Sequence, residues 1–118
     1  MESSELIKLL REARKIEVKV GHITFTGSCP TYSKLLKIIS TAADDSADAR
    51  IAALAITGWS GVTEFDVIGG SEDVPIEFNL ELYQELVMDR MDWWKPISQA
   101  VSQSVLKRQQ QKEEEAKN

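Results

Sequence analysis

The stretch Ile16-Glu17-Val18-Lys19-Val20-Gly21-His22-Ile23-Thr24-Phe25-Thr26 decides the fold, because its pairing can be worked out position by position. Side chains alternate between the faces of a strand, so a two-residue Gly21-His22 loop sets Val20 opposite Ile23 and Val18 opposite Phe25. One face of the hairpin is then apolar, and the other carries Glu17, Lys19, Thr24 and Thr26. Glycine at the first loop position suits a type II′ turn. Two strands alone are marginal in water, so the apolar face has to be covered by the helical patterns on either side. The expectation is a small single α+β domain, mainly α, with about five helices and a short N-terminal β-hairpin.

Working outward, residues 4–14 place Leu6, Ile7, Leu10 and Ala13 on one side of a helix that Ser3 or Ser4 can cap. Gly27 to Pro30 reads as a turn, with Pro30 in the first turn of a helix that carries Tyr32, Leu35, Leu36 and Ile39 and ends near Ala43. Ser46 can cap the next helix, with Ile51, Leu54 and Ala55 inward and a left-handed Gly58 at its end. Alanines 47, 49, 52, 53 and 55 would let another helix approach closely. Gly58, Gly61, Gly69, Gly70 and Pro75 make 58–79 a structured loop, packed by Trp59, Val62, Phe65, Ile68, Val74, Ile76 and Phe78. Asn79 then caps a helix with Leu82, Tyr83, Leu86 and Val87. Asp92 caps the last helix, with Pro96 in its first turn and Trp93, Ile97, Ala100, Val101, Ser104 and Val105 in a narrow stripe. Residues 1–106 are expected to form the globular domain. Residues 107–118 lack an apolar face and read as a charged tail, frayed or disordered.

At 118 residues the chain suits one domain able to stand without staples. The single cysteine, Cys29, excludes an intramolecular disulfide and a Cys-rich zinc site, and favours a reducing compartment. No apolar run approaches the roughly 20 residues that span a bilayer, and Glu2 and Glu5 stand where a signal peptide would be basic. A soluble, intracellular protein without membrane contact is expected. The net charge of -5 is unevenly spread: residues 38–92 hold twelve acids against Arg50 and Arg90, a surface that repels nucleic acid. The ends are basic or balanced, which could favour head-to-tail self-association.

The residues offer no catalytic signature, and no enzyme, cofactor or metal is expected. His22 sits in a hairpin turn with no local carboxylate or nucleophile to orient. Asp44-Asp45-Ser46-Ala47-Asp48 lacks the glycine and distal glutamate of a calcium loop, and Gly69-Gly70-Ser71 lacks the lysine of a phosphate loop. Aromatic residues remain, because Trp and Tyr at a surface carry much of the energy of protein interfaces. Trp59 lies with Phe65 in the glycine-rich loop. Adjacent Trp93 and Trp94 point about 100° apart on a helix, so one of them is expected outside the core. Trp59, Phe65, Trp93, Trp94, Ile97 and Val101 are the candidate protein-binding residues.

The succession Glu17-Val18-Lys19-Val20-Gly21-His22-Ile23-Thr24-Phe25, two helices, Gly58-Trp59-Ser60-Gly61-Val62, and then Val74-Pro75-Ile76-Glu77-Phe78-Asn79 entering a helix resembles the tail assembly chaperones of long-tailed bacteriophages. The charged, Gln-rich C-terminus is similar too. The resemblance implies a non-enzymatic, oligomeric protein of the host cytoplasm that coats the tape measure protein, keeps it soluble, helps recruit major tail protein subunits to the tube, and is absent from the mature virion. In many such proteins a ribosomal frameshift makes a longer product, and Lys107 to Lys112 would lie near that junction. The other reading is a small acidic regulator that binds a host protein, with residues 38–92 mimicking nucleic acid.

Overall fold

The computed structural model describes residues 1–41, 46–70 and 72–117. The hairpin forms in the expected register: β1 (Lys15–Val20) and β2 (Ile23–Ser28) run antiparallel, with Val18 opposite Phe25 and Val20 opposite Ile23. Gly21 has φ 61° and His22 is not left-handed, the combination a type II′ turn requires. Val18, Ile23 and Phe25 are buried, while Glu17, Lys19 and Thr26 face outward. β2 runs on to Ser28, so Gly27 lies inside the sheet and not in a turn.

A third strand, β3 (Ile56–Ser60), pairs antiparallel with β2, giving the order β1-β2-β3. This replaces the expected helix running to a left-handed Gly58. The helix before it, α3 (Ala47–Ala55), stops at Ile56, whose backbone is extended at φ -91° and ψ 132°. Gly58 is not among the positive-φ glycines. The free edge of β2 offers Ile56-Thr57-Gly58-Trp59 a ladder of hydrogen bonds that outweighs their continuing the helix. Gly27 makes the close approach possible: a Cβ there would lie 1.9 Å from the carbonyl oxygen of Ala55.

Five further helices complete the chain: α1 (Ser3–Ala13), α2 (Tyr32–Thr41), α4 (Glu64–Ile68), α5 (Leu80–Asp89) and α6 (Met91–Lys117). The α+β, mainly helical class is as expected, with six helices and a three-stranded sheet where about five helices and a hairpin were read. Pro30 precedes α2, and Thr31 Oγ1 accepts from the Lys34 amide. α2 buries Leu35 but leaves Tyr32, Leu36 and Ile39 exposed. The expected end of this helix near Ala43 lies outside the described residues. α4 has a capping box between Thr63 and Asp66, and Asn79 caps α5 through the Leu82 amide. α6 begins at Met91, so Asp92 is inside its first turn, bound to Arg90, and Pro96 falls in its second turn. α6 stays helical to Lys117.

The core lies between the sheet and α3, α5 and α6. α3 sets its alanine face on α6, as the alanines predict, burying Ala49, Ile51, Ala52 and Ala55 and leaving Leu54 exposed. Ser98 on α6 donates to Asp48 Oδ1 at 2.8 Å across this contact. Phe25 meets Trp93 edge-on at 5.2 Å and Tyr83 at 6.0 Å. Trp59 packs against Phe78 at 5.1 Å and Trp93 at 6.3 Å, extending one aromatic cluster from sheet to helices.

Candidate functional site

The six candidate binding residues separate by burial. Trp93, Ile97 and Val101 are buried on α6 at 1%, 0% and 0% exposure, so their stripe is the inner face of the helix and offers no docking surface in this fold. The physical reason is what packs on that face: Phe25 from the hairpin and Trp59 from β3 meet Trp93, α3 lies along α6, and the same periodicity that marks a binding stripe marks a core stripe. Trp59 is half-buried, with its indole N–H donating to the Ile76 carbonyl at 2.9 Å. It ties Ile76 to the sheet, while the Glu64 amide on the Val74 carbonyl and the Ile76 amide on the Val62 carbonyl hold the two limbs of the segment together. Trp94 is half-buried and Phe65 is 54% exposed, so these two keep surface for a partner. Within the same loop Val62 packs inward, whereas Ile68 and Val74 join Phe65 at the surface.

His22 has a partner that local spacing could not supply. Its Nε2 lies 3.0 Å from Asp66 Oδ2, and that oxygen also accepts from the Thr63 amide at 2.8 Å and Thr63 Oγ1 at 3.0 Å. Burial works to raise the Asp66 pKa, but these hydrogen bonds and the His22 charge together hold it below the usual carboxylate value. Arg90 fastens the other side of α4, donating to the Asp66 carbonyl at 2.7 Å and to both Asp92 oxygens while its guanidinium stacks 4.4 Å over Trp93. Hydrogen bonding to Arg90 lowers the Asp92 pKa against an opposing effect of burial. Asp66 is committed to three donors and is a weak base, so this arrangement ties hairpin turn, α4 and α6 together.

Sequence reading missed an accessible apolar surface on α1. α1 has no buried residue: Leu6, Ile7, Leu9 and Leu10 are each about half exposed, at 47%, 48%, 53% and 54%. Its apolar stripe was legible, but that the domain leaves about half of it open was not. Among the described residues no three His, Cys, Asp or Glu side chains group as metal ligands, and no helix is long and apolar enough to cross a membrane. The acidic run's Asp44 and Asp45, and Ser71 of the Gly-Gly-Ser turn, lie outside the described residues. No protein-family model matches the chain, and no curated protein or solved structure matches it either.

Proposed function

We propose that the protein is a non-enzymatic, oligomeric binding protein of the tail assembly chaperone kind. It holds the tape measure protein soluble in the host cytoplasm, helps recruit major tail protein subunits, and leaves before the virion matures. The observation that carries the reading is α1. Leu6, Leu9, Leu10 and Ala13 fall at i, i+3, i+4 and i+7, a stripe the domain leaves open and an amphipathic helical partner can cover. Phe65 and Trp94 add apolar surface elsewhere on the domain. Co-expression with the tape measure protein, followed by size-exclusion chromatography with light scattering, tests it. A soluble complex with several copies per partner is expected, and Leu6→Glu/Leu10→Glu should lose it while remaining folded. A monomer that leaves the tape measure protein insoluble overturns the proposal.

The exposed acids Glu81, Glu85 and Asp89 line one side of α5 at four-residue spacing and favour, as the second reading, a regulator that mimics nucleic acid. Binding by mimicry weakens steeply as ionic strength rises, whereas apolar coating does not.

A further inference from the structure

We infer that the cavity where α1, α2 and α6 meet is a binding site for a phosphate-class oxyanion. The cavity, of about 280 Å³, has Arg14 at the end of α1, Thr31 and Ser33 at the start of α2, and Arg108, Gln109 and Lys112 on α6 in its walls. All of its charged walls are cationic, in a chain whose net charge is -5. Among the described residues none of these three cations takes part in an ion pair. Arg108 Nε is buried without a hydrogen-bond partner. An anion in the cavity would balance the positive charge that Arg14, Arg108 and Lys112 bring to its walls.

The backbone frames the same space. Arg14 is held where α1 turns into β1, its carbonyl accepting from the Cys29 amide at 2.8 Å. In the first turn of α2, Thr31 takes up the Lys34 amide through Oγ1 and the Leu35 amide through its carbonyl. The Tyr32 and Ser33 amides are the earlier donors of that turn, at the positive end of the helix dipole. Arg14, Arg108 and Lys112 also line an adjoining groove with Glu115, which among the described residues forms no ion pair with any of them. Residues carrying guanidinium, ammonium, hydroxyl and amide donors border the cavity from three elements. A tetrahedral, doubly charged oxyanion matches both the charge and the spread of donors.

The experiment is an amide-resolved NMR titration of the full chain at constant ionic strength, with inorganic phosphate, glycerol 3-phosphate and acetate as probes. Saturable shifts centred on residues 31–33 and 108 are expected with a phosphate probe, and the affinity should fall about tenfold or more in Arg108→Gln but not in Lys19→Gln. Saturation by the ester alone supports the site and identifies a phosphomonoester as its ligand. If Arg108→Gln does not fold, Arg14→Gln on the opposite wall carries the same test. Shifts that do not saturate, acetate binding as tightly as phosphate, or unchanged affinity in the wall variants would overturn the inference.

Discussion

Replacing Tyr83 with phenylalanine isolates one buried hydrogen bond between two helices. Tyr83 is fully buried on α5, and its hydroxyl donates to the Ala52 carbonyl on α3 at 2.6 Å. Ala52 begins the last four residues of α3, whose carbonyls have no partner further along their own helix. Phenylalanine keeps the ring contacts with Phe25, Trp59 and Phe78, so the cavity left is small and the loss is chiefly that of an acceptor stranded away from water. Such a loss costs about 1–3 kcal/mol. Tyr83→Ala, which also empties the ring's space, should cost about 3–5 kcal/mol by comparison with other aromatic truncations. Urea unfolding followed by tryptophan fluorescence is the assay. With a slope of about 1–3 kcal/mol/M, Tyr83→Phe should lower the midpoint by roughly 1 M without changing the slope. The alkaline limb adds an independent sign. Burial pushes the Tyr83 phenol up from its ordinary value, so its contribution is fully present below about pH 10 and is lost as pH rises through the folded pKa. Tyr83→Phe should therefore lose less stability than the parent above pH 10. A variant with the parent's midpoint at neutral pH and the same alkaline decline would refute the reasoning.

Gly27→Ala should destabilise by at least about 1–3 kcal/mol, since its Cβ would lie 1.9 Å from a backbone oxygen and 2.8 Å from two backbone carbons. Gly58→Ala meets only the rotatable Thr26 hydroxyl at 2.9 Å and should cost less; thermal melts that rank the two the other way would contradict the account of β3. Trp93→Ala should cost about 3–5 kcal/mol, against about 0.5 kcal/mol or less for Phe65→Ala, in chemical denaturation. Because the folded Asp66 pKa is depressed, its contribution is present above about pH 4 and is lost as pH falls through the folded value. Asp66→Asn should accordingly be less stable than the parent at pH 6, with the gap closing toward pH 2; a gap independent of pH would remove the charge from the explanation.

The candidate site was less legible than the fold, and particular residues show why. Trp93, Ile97 and Val101 recur at the spacing of one helix face, which is equally the signature of a core stripe and of a docking stripe. Only the arrival of Phe25 from the hairpin, Trp59 from β3 and the packing of α3 determines which it is. The same ambiguity runs the other way for α1 and α2, whose apolar residues were legible as stripes although the domain leaves much of them exposed. His22 and Asp66 stand 44 positions apart, so no motif spacing could pair them.

Local chemistry by itself determined the hairpin and its register, the Gly21 turn, the Asn79 cap and the alanine face of α3. Each depends on residues within a few positions of one another or on a single periodicity. Tertiary structure alone decided β3, because the sheet edge that captures Ile56–Ser60 exists only once β2 is folded beside it. It also decided the Arg14–Arg108–Lys112 cavity, whose walls come from elements more than ninety residues apart in the chain. Burial and through-space charge depend on which faces meet, and a linear pattern specifies faces without specifying what covers them.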